Sequence, residues 1–330
     1  MVAIGWGIKM KIRGLGYIGV AATDPAACLR YCTDILGLMP ARAVPGESWG
    51  IPAVPASGPA SGGCGIAQDG SAYLKADDWQ WRIAIHPVTA RRGLLYMGFE
   101  LDSAIALEQA VAELNQAGFD ARMGNQTQAQ VRAVTGIAHT RDPTGNPIEL
   151  FYGPTLDRKF QSPRGARFDT GDMGLGHINL LVDRLKDSQD FYIRVLGFRL
   201  TDYIRFGENM SANFYHCNPR HHTVGLTRVG PIDGFHHLML QVSDVDQVGQ
   251  CLERAEAAGI LVTSTLGRHA NDRMLSFYMR SPMGFDVEIG CEAIRVSDDW
   301  TPREFVEGDI WGHKGLTAEA IQAAASQTTN

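Results

Sequence analysis

No apolar run in the 330-residue sequence approaches the roughly 18 residues that a membrane-spanning helix requires. Runs of lysine or arginine are missing too: 30 basic residues stand against 36 acidic ones, for a formal charge of -6. That balance excludes the electrostatic footprint of a protein that binds nucleic acid or an anionic membrane, and the expected partner is a small molecule. The opening MVAIGWGIKMKIRG lacks a charged segment followed by a long apolar one, so a cytoplasmic protein is expected. Cysteine is scarce. Of Cys28, Cys32, Cys64, Cys217, Cys251 and Cys291, only the first two fall one helical turn apart, with no second pair to complete a zinc site. All six read as ordinary reduced residues. Glycine, by contrast, is plentiful at 37 residues, and a composition of 45% hydrophobic and 20% charged residues fits a turn-rich globular chain long enough for two domains.

What the sequence does have is repetition. GLGYIGVAATDP begins at Gly14 and GLGHINLLVDRL at Gly174, and the same spacing of 160 residues brings Gly37 onto Gly197 without a gap. Each segment reads as a strand, a helix (CLRYCTDIL, DSQDFYIRVL) stopped by a glycine suited to a left-handed C-cap, and another strand. A second pair follows the same plan. LLYMGFELDSAIALEQAVAELNQAGFDAR, from Leu94, aligns with FHHLMLQVSDVDQVGQCLERAEAAGILVT, from Phe235, and DPTGNPIELF with SPMGFDVEIG. The unit is therefore a strand, a helix and several strands, present four times and grouped into two halves. The polar stretch GPTLDRKFQSPRGARFDTGD, residues 153–172, reads as the connection between them. PASGPASGGCG near residue 60 reads as a loop, and TAEAIQAAASQTTN as a frayed helix or disordered tail.

The halves differ where chemistry is concerned. Matched positions hold Tyr17, Tyr96 and Glu149 in the first half and His177, His237 and Glu288 in the second. Two imidazoles and a carboxylate on different strands make a facial triad, which leaves three adjacent positions open on a six-coordinate ion. Eight of the ten histidines follow residue 170, several in YHCNPRHHTVGL and TLGRHANDRMLSFYMRSP. If each strand is regular, His236 faces away from His237, and at most one of His221 and His222 enters the cavity. Phasing alone leaves open which of the latter two it is.

These motifs make the chain resemble the extradiol catechol dioxygenases of the vicinal oxygen chelate superfamily, in particular the two-domain group acting on 2,3-dihydroxybiphenyl. The resemblance runs from about residue 11 to residue 314 and is sharpest in GRHANDRMLSFYMRSPMGFDVEIG, with Ser281 as a departure in the turn before the proline. It implies an α+β fold of four βαβββ modules paired into two barrel-like domains. The expected division is a metal-free domain over residues 1–160, a catalytic domain over 161–300 and a tail over 301–330. It also implies that His177, His237 and Glu288 bind Fe(II), or less favourably Mn(II), with O2 as co-substrate. In the same way it makes His222 the acid/base residue and has His269 and Tyr278 hydrogen-bond a catechol. Asn271 and Asp272 would complete the pocket, and Phe214 and Gly308 would line it. The WGHK motif recurs in the group, and relatives are commonly homo-oligomers such as octamers. Asn179 departs from the group, whose members tend to be apolar there, and so bears on the ring substituent.

The expected activity is ring cleavage of an aryl-substituted or bicyclic catechol in aromatic catabolism. A monocyclic or steroid catechol is the alternative substrate. A glyoxalase-like isomerase or transferase, or a non-catalytic protein holding an aromatic ligand, would share the repeated unit; the RHHT and GRHAND motifs and the intact triad weigh against both.

Overall fold

The computed structural model describes residues 10–41, 65–90 and 93–328. The opening nine residues, Cys64 and nearly all of the stretch near residue 60 lie outside them. Each of the four modules begins with a strand, passes through a helix and ends with three strands. In three of the four modules the helix starts where the sequence supplies a side-chain acceptor. Asp24 caps Pro25–Tyr31 through the Ala27 amide, Ser103 caps Ala104–Gln116 and Asp244 caps Val245–Ala257. In the first and third modules the last turn widens into a π-helical turn, Cys32–Leu36 and Phe191–Val195, and stops before a glycine with φ of 79°. Only glycine takes that backbone conformation without strain.

Strands of the first half form an eight-stranded sheet, those of the second a ten-stranded one, and both sheets curl. In each module the first and last strands pair in parallel, as Gly14–Ala22 does with Ile83–Pro87 and His177–Leu181 with Val224–Arg228. The two modules of a half meet through their first strands, antiparallel: Gly14–Ala22 with Gly93–Glu100, and His177–Leu181 with Gly234–Gln241. This is the α+β vicinal oxygen chelate architecture. Strand His177–Leu181 is buried along its whole length, its polar His177 and Asn179 included.

The halves pack directly on one another. Leu175 donates its amide to the Leu15 carbonyl at 2.7 Å, and a Cβ on Gly174 would come within 2.6 Å of that oxygen, so the repeated glycines are what lets these strands approach. Phe99 meets Phe198 edge-on, and Tyr192 donates to Asp142 at 3.2 Å across the same boundary. Residues 301–330, a tail by sequence, contribute two strands to the second sheet. Arg303–Phe305 extends one end and Asp309–Trp311 the other, followed by helix Ala318–Thr328. Their polar, glycine-containing sequence hides this, because a three-residue strand carries no readable period. Among the described residues no helix is long and apolar enough to cross a membrane.

Candidate metal centre and its cavity

Strand register brings the three triad positions together. Met239 is the neighbour of both His177 and Glu288, and Asn179 that of His237. The first half repeats this pairing residue for residue: Gly98 adjoins Tyr17 and Glu149, and Gly19 adjoins Tyr96. In the second half the His177 and His237 Nε2 atoms lie 3.1 Å apart, and Glu288 Oε2 is 3.3 Å and 3.5 Å from them. All three residues are buried.

The donor set fits a divalent ion. Burial pushes the His177 and His237 imidazoles below the ordinary histidine range, His237 furthest, so near neutrality both present bare nitrogens. Burial would raise Glu288, but His177 and His269 outweigh it and hold the carboxyl well below its usual range. Both of its oxygens are buried without a hydrogen bond. Two lone pairs and a carboxylate converging on one point with no donor between them call for a cation.

Around this point lies a cavity of about 340 Å³ lined by every residue singled out in the sequence: His177, Asn179, Phe214, His222, His237, His269, Asn271, Asp272, Tyr278, Glu288 and Gly308. His222 stacks on His177 with ring centroids 3.8 Å apart and touches Phe214 at 4.7 Å. Its Nδ1 lies 3.0 Å from Nδ1 of His221, whose Nε2 lies 2.9 Å from Asp202. His221 and His222 precede strand Val224–Arg228 instead of lying in it, and His221 turns to Asp202, away from the cavity. His269 Nε2 meets the Tyr278 hydroxyl at 2.9 Å. Asn179 keeps a buried Oδ1 without a partner, and its amide occupies the space that a side chain at position 225 would fill, 2.6 Å from a Cβ on Gly225.

One placement differs from expectation. His236 was expected on the opposite face from His237, but it lines the same cavity, with Nδ1 2.6 Å from Nδ1 of His237. The register shift between Phe235 and His237 breaks the alternation on which that phasing relied. Sequence reasoning missed Asp202, which lies 19 positions before His221, and the cavity walls Ile204, Met210 and Ile321. A lone acidic residue in RLTDYIRFG marks Asp202 only once its partner is known.

In the first half the same point is filled. Tyr17 donates to Glu149 at 2.7 Å, Arg132 binds both Glu149 oxygens through Nε and Nη2, and the guanidinium lies 3.9 Å over the Tyr96 ring. A fixed cation thus stands against the carboxylate. Arg132→Met is expected to destabilise the fold by about 3 to 5 kcal/mol, because it leaves Glu149 buried without its counter-charge. Urea unfolding followed by circular dichroism measures this, and a loss below about 1 kcal/mol would contradict the role.

Comparison with known proteins agrees with this geometry. Residues 174–289 match the Glyoxalase/Bleomycin resistance protein/Dioxygenase superfamily. The chain is 36% identical over 316 residues to the iron-dependent extradiol dioxygenase of Rhodococcus jostii strain RHA1, covering 92% of this chain and 97% of that one. It belongs to the extradiol dioxygenase family. A second relative of this family, biphenyl-2,3-diol 1,2-dioxygenase of Metapseudomonas furukawaii, is also 36% identical, over 95% of this chain and 97% of its own. The crystal structure of a halotolerant catechol dioxygenase superposes with a TM-score of 0.82 at 32% identity, covering 93% of this extradiol dioxygenase and 96% of the other.

Proposed function

We propose that the protein cleaves the ring of an aryl-substituted or bicyclic catechol next to its hydroxyls, using O2 and a ferrous ion held by His177, His237 and Glu288. The observation that carries this is the convergence of three buried donors on a cavity that polar side chains share with the apolar Ile204, Met210, Phe214 and Ile321. The reading takes iron over manganese(II), since the relative from Rhodococcus jostii is named iron-dependent. It also places the enzyme in the cytoplasm as a homo-oligomer, with the octamer as the candidate assembly.

His177, His237 and Glu288 would hold the ferrous ion, which would supply binding of catechol and O2 and electron transfer between them. The protein side chains supply the rest. Asp202 can only accept, so His221 carries hydrogen on Nε2 and offers Nδ1 as an acceptor; His222 then donates from Nδ1 and keeps Nε2 bare. His222 can therefore take a proton at Nε2 and return it later, with Asp202 stabilising the charge through His221. Tyr278 and His269 hold one catechol oxygen in place, and Phe214 offers its ring to the substituent.

A second ring buried here contributes on the order of 2 kcal/mol, or roughly 30-fold in specificity over plain catechol. The unpartnered Asn179 opposes it by about 1 to 3 kcal/mol unless water or a polar group of the substrate satisfies the amide. The test is anaerobic loading with Fe(II), then oxygen uptake with catechol, 3-methylcatechol, 2,3-dihydroxybiphenyl and 1,2-dihydroxynaphthalene. A higher kcat/KM for the two bicyclic compounds is expected. Preference for either monocyclic one would refute the substrate class, and no uptake with any of the four would refute the activity.

A further inference from the structure

The mechanism above makes no use of the residues from Gly308 to Lys314, which include the WGHK motif. Strand Asp309–Trp311 pairs with Val262–His269 and sets Asp309 directly opposite His269. Backbone bonds pin the segment on both sides: Ala270 donates to the Gly308 carbonyl at 2.9 Å, and Thr265 to that of Lys314 at 3.1 Å. Between these points the facing strand gives up a side chain. A Cβ on Gly267 would come within 2.4 Å of the His313 nitrogen and 2.7 Å of its ring, and Gly312, at φ of 79°, would press a Cβ to 2.2 Å from the Leu266 carbonyl oxygen. Two glycines thus admit the His313 imidazole, which is buried.

One oxygen of Asp309 accepts from two rings, His269 Nδ1 at 2.7 Å and His313 Nδ1 at 2.5 Å, and those rings stack with centroids 4.1 Å apart. His313 is fixed at its other nitrogen by Ser276, with Oγ at 3.2 Å and the carbonyl oxygen at 3.0 Å. Because a carboxylate only accepts, His269 carries a hydrogen on Nδ1, and its Nε2 is turned toward the Tyr278 hydroxyl at 2.9 Å and Glu288 Oε1 at 3.5 Å. His269, Asp309 and His313 gather closely enough for an ion, but their facing atoms already bond to one another.

We propose that Asp309, braced by His313, is a positioning residue that sets the ring orientation of His269 and, through the His269–Tyr278 pair, the seating of the catechol. The proposal rests on the ring-cleavage reading. Asp309 enters the site from beyond the fourth module, on a strand paired with Val262–His269. Its removal is expected to loosen the catechol while the ion site, built by other strands, stays intact.

The experiment compares Asp309→Asn, Asp309→Ala, His269→Ala and the double variant His269→Ala/Asp309→Ala with the unaltered protein, each loaded with Fe(II). Bound iron, melting temperature, anaerobic affinity for 2,3-dihydroxybiphenyl and kcat/KM are measured. Asp309→Ala is expected to weaken anaerobic binding and lower kcat/KM by roughly 10- to 100-fold, the scale of a misplaced reactant, with iron content and melting temperature unchanged. Asp309→Asn keeps one acceptor and the side-chain shape, so it should fall between, and it carries the test if the alanine variant does not fold. A residue that acts through His269 should add nothing once His269 is gone, so the double variant is expected to match His269→Ala. Unchanged binding in both Asp309 variants, additive losses in the double variant, or loss of iron on changing Asp309 would each overturn the proposal. If the unaltered protein binds no catechol, the ring-cleavage reading itself fails. If it binds and cleaves catechol while the Asp309 variants do so equally well, only the positioning role fails.

Discussion

Changing His177, His237 or Glu288 to alanine is expected to strip the protein of iron and abolish oxygen uptake with any catechol, while the fold persists. Each residue is one of three donors to the ion. The loss should far exceed the roughly 10- to 100-fold that changes outside the ligand set cost in metal affinity. Persistence of the fold follows from the first half, which builds the same strand register around Tyr17, Tyr96 and Glu149. Elemental analysis of the purified variants, oxygen-electrode assays and circular dichroism read the three parts separately. Normal iron and substantial turnover in any one variant would remove that residue from the ligand set. Glu288→Gln refines the test, because it keeps the shape and removes the charge, and it should also lose iron.

His222→Ala is expected to lower kcat by roughly 100- to 10,000-fold, the range for a positioned acid/base group, and to leave bound iron and anaerobic catechol affinity largely unchanged. The split between binding and turnover is the point of the measurement. His222 touches the ligand His177 only by ring stacking, so the ion does not depend on it. His221→Ala and Asp202→Asn should reduce kcat less, since they act through His222. If His221→Ala gave the large defect and His222→Ala did not, the proton-transfer role would pass to His221. If neither moved kcat, the chain from Asp202 would have no part in the reaction.

The duplication made much of this legible in sequence. A register that repeats residue for residue needs no structure to detect, and Tyr17 against His177 is its clearest mark. The helices of the first and third modules were legible for a local reason: Gly37 and Gly197, both at positive φ, stop them. What escaped was non-local or irregular. A bulge turned His236 into the cavity against strict alternation. His221 and His222 lie before a strand instead of within it, so phasing could not separate them. Asp202, Arg132 and Asp309 matter only through partners 19, 17 and 40 positions away, and nothing in a linear pattern marks such pairs. The segment after residue 300 read as a tail because its strands are too short to show a period.

The guanidinium at the centre of the first half stands in the way of an ion there. Arg132 sits on Glu149, where a second-half-like centre would hold its ion. A histidine arriving at position 17 or 96 would face that fixed charge and gain no ion for its trouble. Neither change is useful without the other, and both are useless while Arg132 remains. Building an ion-binding centre in the first half would therefore take at least three replacements, at positions 17, 96 and 132.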